Sequence, residues 1–208
     1  MLNNQGFDLW ADHYDETVRR SEGNNQYPFA GYKEILNSIY NEVMQKPNGD
    51  VLDIGFGTGV LTTKLYEHGH RIDGIDFSSK MISIAKAKMP HANLIEWDIS
   101  NGLPSDLTGK HYDSIISTYT LHHLNDEAKV AFISELLSYL KKDGKLYFGD
   151  ISFETREKHD QCREENRAHW DEDEYYFVCD ELTANLSNHC KIEFRALSHC
   201  GGVFIISN

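Results

Sequence analysis

Apolar positions along the chain follow two alternating rhythms. Tyr32, Ile35, Leu36, Ile39, Tyr40 and Val43 recur at three- and four-residue steps, the spacing of one buried helix face. Residues 1–46 read as helical, and Pro47-Asn48-Gly49 ends that segment with turn residues. From Asp50 onward, short apolar runs alternate with helical patterns. Strands are predicted over 51–54, 71–76, 93–97, 112–118 and 145–151. Helices are predicted over 61–68, 78–89 and 126–140. In the last of these, Val130, Ile133, Leu136, Leu137 and Leu140 share a face, Lys141 and Lys142 complement the dipole, and Gly144 serves as cap.

Strand–helix alternation of this kind predicts an α/β fold, a Rossmann-like, doubly wound and mostly parallel sheet. The tail changes the pattern. Strands over 191–197 and 202–207 are separated by four residues, too few for a crossover helix, so they form a C-terminal antiparallel hairpin. Between the fifth strand and the hairpin, 152–188 is acidic and aromatic. From Glu154 to Glu181 it holds 11 acidic and four basic residues, with Trp170, Tyr175, Tyr176 and Phe177 clustered. It reads as two helices and a connecting stretch over the carboxyl edge of the sheet. The expectation is one domain over 1–208, with an N-terminal helical lid (1–46) and a helical cap insertion (152–188). Residues 1–31 and 154–177 are expected to form a mobile cover over the ligand site.

Length and composition fit this picture. A chain of 208 residues, 40% hydrophobic, is large enough to bury a core as one unit. No apolar run approaches the roughly 18–20 residues of a membrane span, and the first residues lack a secretory pattern. A cytoplasmic location is therefore expected. The net charge is -13, with 33 acidic residues against 20 basic, which argues against nucleic acid and for a small-molecule partner. The four cysteines form no C-x-x-C pair. Even with His189-Cys190 and His199-Cys200 adjacent, free thiols are expected and no metal ligands are assigned.

The strongest chemical signal is Val51-Leu52-Asp53-Ile54-Gly55-Phe56-Gly57-Thr58-Gly59, a glycine-rich turn between a strand and a helix. Gly55, Gly57 and Gly59 permit a tight turn and close approach of a ligand to the backbone, and the amides of the new helix face an anionic group. The spacing is not that of the dinucleotide fingerprint, because the third glycine comes one place early. Asp76 ends the second strand 21 residues after Gly55, where a carboxylate accepts from both ribose hydroxyls. A nicotinamide dinucleotide and an adenosyl cofactor without phosphates both remain compatible. Asp53 favours the second: a carboxylate at the loop entrance repels a pyrophosphate and attracts an amino group or a sulfonium.

Asp53-Ile54-Gly55-Phe56-Gly57-Thr58-Gly59, Gly74-Ile75-Asp76-Phe77-Ser78, Met81-Ile82, Tyr112-Asp113-Ser114-Ile115-Ile116-Ser117 and Leu121-His122-His123-Leu124 resemble class I methyltransferases of the small-molecule type, which use S-adenosylmethionine. Trp10-Ala11, Tyr14-Asp15, Thr17-Val18, Tyr32, Ile35-Leu36 and the Trp170 to Phe177 stretch are similar to the YrrT-type methyltransferases of Gram-positive bacteria. The resemblance implies cofactor contacts at Gly55, Asp76 and Asp98, with Asp98 holding the adenine amino group. It implies that Phe77 and Ile99 sandwich the ring, that Ser117 lies beneath the methionine part and that Tyr14 belongs to a segment closing over the cofactor. Tyr14 is also compatible with a core stripe of Trp10, Tyr14 and Val18.

His122 and His123 follow the fourth strand at the ligand-binding edge, where one could act as a general base; a structural pair is the alternative. The Asn/Asp-Pro-Pro-aromatic motif of amino-methylating nucleic-acid enzymes is absent, with Ser117-Thr118-Tyr119-Thr120 in its place. The expected function is transfer of a methyl group from S-adenosylmethionine to a small-molecule N, O or S acceptor. A non-catalytic sensor of that cofactor, or an RNA or protein methyltransferase, is the alternative. The acceptor and the oligomeric state are not legible.

Overall fold

The computed structural model describes residues 26–186 and 190–208. Its elements in chain order are α1 (Tyr32–Val43), β1 (Asp50–Ile54), α2 (Val60–Glu67), β2 (Arg71–Asp76), α3 (Ser79–Lys88), β3 (Asn93–Glu96), β4 (Tyr112–Thr118), α4 (Asp126–Leu137), β5 (Leu140–Phe153), α5 (Arg156–Glu165), β6 (Phe177–Val178), α6 (Cys179–Leu186), β7 (Lys191–Ala196) and β8 (Gly201–Ser207). The sheet runs β3-β2-β1-β4-β5-β8-β7. Strands β1 to β5 are mutually parallel, β8 is antiparallel to β5, and β7 closes the hairpin against β8. This is the doubly wound sheet with an antiparallel C-terminal pair that the alternation predicts.

Two-residue alternation decides which side chains meet which layer. Val51, Ile116, Val203 and Ile205 join one buried cluster with Ile35, Ile39, Leu61 and Ile82 from α1 to α3. Their strand neighbours Leu52, Ile115, Phe204 and Ile206 join a second cluster with Phe132, Ile133 and Leu136 of α4 and Leu182 of α6. Helices thus cover both faces, and the sheet is a partition between two cores. Local caps set the helix starts: Ser78 accepts from the Met81 amide, Asn125 from the Ala128 amide and Thr155 from the Lys158 amide.

Most element ends lie within two residues of the sequence expectation, and the larger differences fall at α1, α4 and the start of β5. Helix α1 covers Tyr32–Val43 rather than all of 1–46; residues 26–31 are not helical, and 1–25 lie outside the described residues. Helix α4 stops at Leu137, and Leu140 already begins β5. Lys141 does not sit at a helix end, since its Nζ binds Asp50 and Asp113 at the amino edge of the sheet. Gly144 is not a left-handed cap, because the positive φ falls on Asp143 (64°). Gly144 is glycine for another reason: a Cβ there would lie 2.8 Å from the Tyr112 carbonyl oxygen, beside the register shift between β4 and β5. The described part of 152–188 holds two helices, α5 and α6, and adds β6, which pairs with β5 beside Ser152 and Phe153. Cys162, Cys179, Cys190 and Cys200 are free thiols. Among the described residues, no helix is long and apolar enough to cross a membrane.

Candidate active site

The strand order reverses between β1 and β4, the neighbours whose connections leave in opposite directions, and this opens a crevice at their carboxyl ends. The loop after β1 turns there through three left-handed glycines: Gly55 (φ 70°), Gly57 (φ 55°) and Gly59 (φ 79°). They are not equivalent. A Cβ on Gly55 would lie 2.2 Å from Thr120 Oγ1, so this glycine lets the loop pack against the residue following β4. A Cβ on Gly57 would meet nothing within 4 Å, so this glycine faces open space, as a backbone cradle requires. Phe56 points into the core, where its ring closes on the Cα of Gly74 in β2.

Asp53 and Asp76 flank the loop. Asp76, buried at the end of β2, accepts the Gly57 amide on Oδ2 (2.8 Å) and the Ser78 amide on Oδ1 (2.9 Å). Asp53 lies on the same face of β1 as Val51 and is 2% exposed. Its Oδ2 accepts from the Thr62 hydroxyl, whereas its Oδ1 is buried without a hydrogen-bond partner. Burial pushes its carboxyl up to about 7, with the Thr62 hydroxyl opposing and the Asp76 charge adding. Asp53 lines a cavity of about 30 Å³ with Tyr32, Leu36, Gly55, Thr58 and Tyr119. A buried, unsatisfied carboxylate oxygen is costly unless a donor reaches it.

The remaining candidates spread around the crevice. Ser117, at the end of β4, is buried and donates to the Ile54 carbonyl (2.8 Å), tying the tips of β1 and β4 together. Asp98 is exposed and accepts the Ser100 amide (2.9 Å), capping a short 3-10 turn that contains Ile99. Phe77 and Ile99 are half-buried at the ends of β2 and β3. Tyr14 lies outside the described residues.

His122 and His123 stand on a 3-10 turn (Leu121–His123) shortly after β4, two and three residues beyond the Thr120 that packs on Gly55. His122 Nδ1 is 2.6 Å from Asp150 Oδ1, and His122 Nε2 is 3.4 Å from Glu174 Oε1. His123 Nδ1 is 3.9 Å from the same Glu174 oxygen, and the two imidazole rings lie 4.2 Å apart. Tyr176 donates to Glu174 Oε2 (2.8 Å), and its hydroxyl also meets that of Tyr27. Burial opposes a charge on His122, but the Asp150 and Glu174 carboxylates outweigh it and push His122 up to about 10. Burial and the neighbouring His122 charge push His123 down to about 4. Both ring nitrogens of His122 are thus engaged.

Asp150, Glu174, Tyr176 and Tyr27 were not singled out as site residues by the sequence. One signal was available for Asp150, the only charge in the apolar run Leu146-Tyr147-Phe148-Gly149-Asp150-Ile151, near the carboxyl end of a central strand. Glu174 had no such signal among eleven acidic residues of the cap. It is brought in because the Tyr175 amide bonds the His122 carbonyl (2.7 Å) and the buried Lys129 Nζ bonds the Tyr175 carbonyl (2.5 Å).

Comparison with known proteins agrees with this architecture. Residues 51–144 match the methyltransferase domain family. The chain is 38% identical to an uncharacterized methyltransferase of Alkaliphilus oremlandii (strain OhILAs), over 74% of this chain and 69% of the relative. It is 38% identical to an uncharacterized methyltransferase of Geobacillus sp. (strain WCH70), over 85% and 84%. Among solved structures, a DhpI-SAM-HEP complex superimposes with a TM-score of 0.70 at 19% identity, covering 97% of this chain and 94% of that one. Magnesium protoporphyrin IX methyltransferase from Synechocystis PCC 6803 with bound SAH gives 0.68 at 19% identity, covering 97% of each. With the fold, the glycine turn and these relatives in agreement, the chain belongs to the methyltransferase family.

Proposed function

We propose that this methyltransferase uses S-adenosylmethionine and transfers the methyl group to a heteroatom of a small molecule. The observation that carries the reading is the pair of carboxylates around the glycine turn: Asp53 has an unsatisfied buried oxygen, and Gly57 faces open space. A phosphate-free ligand with a cationic amino end and a ribose suits that arrangement, whereas a pyrophosphate meets two negative groups. In this reading Asp53 receives the amino group of the methionine part, Asp76 accepts from the ribose hydroxyls, and Asp98 accepts from the adenine amino group. Phe77 and Ile99 flank the ring. Gly55, Gly57 and Gly59 keep the backbone open to the ligand, and Ser117 fixes the strand tips beneath it. When bound, S-adenosylmethionine supplies an electrophilic methyl group on a sulfonium.

A small acceptor is favoured by charge. The chain carries -13 overall, so a polyanionic acceptor is repelled. The cap closes the far side: Tyr27 stacks on Trp170 (5.2 Å, 9° between planes), and Trp170 packs edge-on against Tyr176 (4.8 Å). We read this contact as part of a cover that excludes water and aligns the acceptor.

The test is a transfer screen. The protein is incubated with methyl-labelled S-adenosylmethionine and a fractionated pool of small metabolites. Label is expected in a low-molecular-weight fraction, with stoichiometric formation of the demethylated cofactor. Binding of the cofactor without label transfer to any fraction would instead make the protein a sensor.

A further inference from the structure

We infer that His122, His123 and Glu174 form a binding site for one first-row divalent transition metal ion of zinc-like preference, placed to hold the acceptor heteroatom. The ion site stands on its own geometry; the acceptor role rests on the methyltransferase reading above.

The three side chains each offer one ligand atom, and these atoms lie within 4.8 Å of one another. Two ligand atoms on a tetrahedral ion with bonds of about 2.0–2.1 Å are separated by roughly 3.3–3.4 Å. The 3.4 Å between His122 Nε2 and Glu174 Oε1 already meets that requirement. His123 Nδ1, 3.9 Å from the same oxygen in a set spanning 4.8 Å, has to swing inward by roughly 1–1.5 Å to close the tetrahedral spacing on both other ligands.

The surroundings have the outer groups a metal site needs. A ligating histidine commonly donates its other N–H to a carboxylate, which fixes ring and tautomer. Asp150, itself 2% exposed, stands 2.6 Å from His122 Nδ1, so an ion at Nε2 takes the place of the proton that faces Glu174, and that proton leaves to solvent. A ligating carboxylate is commonly braced through its second oxygen, and Tyr176 donates to Glu174 Oε2 at 2.8 Å. His122 is buried, while the side chains of His123 and Glu174 keep 29% and 20% exposure, so an ion can enter from that side.

Two imidazoles and one carboxylate select among ions. Magnesium and calcium prefer all-oxygen sets, whereas zinc, cobalt and similar ions accept nitrogen. Three protein ligands leave zinc one open position, the arrangement of a catalytic rather than a structural site. Beside the glycine turn, that position suits a thiol or hydroxyl of the acceptor. Coordination lowers the acceptor's pKa: the metal–heteroatom bond forms, the heteroatom–hydrogen bond breaks, and the proton leaves to solvent.

The test uses the whole chain, stripped with a chelator and titrated with Co2+. Visible absorption bands should saturate at one ion per chain, be displaced by Zn2+ and persist in millimolar Mg2+. Glu174→Gln and His123→Ala should each weaken Co2+ binding more than tenfold, and Asp150→Asn about tenfold or more. Folding is followed separately by S-adenosylhomocysteine calorimetry and by the melting temperature, which Zn2+ should raise in the wild type but not in His123→Ala. Failure of stoichiometric Co2+ binding in a wild-type protein that still binds S-adenosylhomocysteine would overturn the ion site. So would unchanged Co2+ affinity in both ligand variants. Stoichiometric Co2+ binding without S-adenosylhomocysteine binding would uphold the ion site and overturn its acceptor role.

Discussion

The Gly57 amide donates to Asp76 Oδ2 at 2.8 Å, so the tip of the turn after β1 is held by the residue that ends β2. One buried carboxylate therefore shapes the turn and, in the proposed role, meets the ribose. Asp76→Ala should do both kinds of damage. Leaving the Gly57 and Ser78 amides and the ligand hydroxyls without an acceptor costs about 1–3 kcal/mol in binding, roughly 5- to 150-fold. Calorimetry with S-adenosylhomocysteine reads this directly, and wild-type affinity in the variant would remove Asp76 from the site.

Gly55 and Gly57 should separate stability from binding. Both have positive φ, so alanine carries a left-handed cost of about 1–2 kcal/mol at either position. Only at Gly55 does the new Cβ also strike Thr120, which adds about 1–3 kcal/mol of overpacking. Gly55→Ala is expected to lower the melting temperature more than Gly57→Ala. Gly57→Ala, whose Cβ would fill the open cradle, should lose more than tenfold in cofactor affinity while remaining folded. A Gly57→Ala variant that binds like the wild type would contradict the cradle.

The pH dependence of the unliganded protein should carry the signature of Asp53. Burial raises its carboxyl to about 7 in the folded state, above its value in the unfolded chain. The folded state therefore binds the extra proton, and the associated stability is present at low pH and lost as pH rises through about 7. Asp53→Asn removes the ionisation and keeps an acceptor for Thr62. It should melt higher than the wild type at pH 8.5, by on the order of 2 kcal/mol of stability, and differ less at pH 5. In the wild type, cofactor affinity should rise between pH 6 and 8 as Asp53 ionises to meet the amino group. Parallel affinity profiles for wild type and Asp53→Asn would refute that contact.

Hydrogen exchange addresses the cover. Tyr27 reaches Trp170 and Tyr176, and Tyr176 braces Glu174, so residues just before α1 and the cap around 166–177 form one contact set beside the crevice. Binding of S-adenosylhomocysteine should slow exchange in both stretches and leave the β7–β8 hairpin unchanged. The N-terminal part of the expected lid, residues 1–25, lies outside the described residues. Equal exchange with and without ligand across 26–31 and 154–177 would refute the cover.

What was legible in the sequence was what local pattern controls. Strands β2 and β4 fall on the expected residues, because buried apolar runs bounded by turn residues have few alternatives. The left-handed glycine turn and the place of Asp76 at the end of β2 follow from a spacing that holds within one β–α–β unit. The start of β5 was misread because Lys141-Lys142-Asp143-Gly144 imitates a helix end. The deciding interaction, Lys141 with Asp50 and Asp113, joins residues far apart in the chain. The same limit hid the partners of His122. Asp150 comes from β5, the strand paired with β4 but 28 residues further along the chain, and Glu174 from a stretch held by Lys129 and Tyr175. Pairings of that kind are made by tertiary packing, and no periodicity encodes them.

The central claim is that the turn between Asp53 and Asp76 holds S-adenosylmethionine. Isothermal titration of the whole chain with S-adenosylmethionine and with S-adenosylhomocysteine, against NAD+ as comparison, tests it most directly. The account predicts saturable binding of one adenosyl ligand per chain, weakened by Asp76→Ala, and no saturation with NAD+. Absence of binding by both adenosyl ligands to folded protein, or saturation by NAD+ instead, would contradict it.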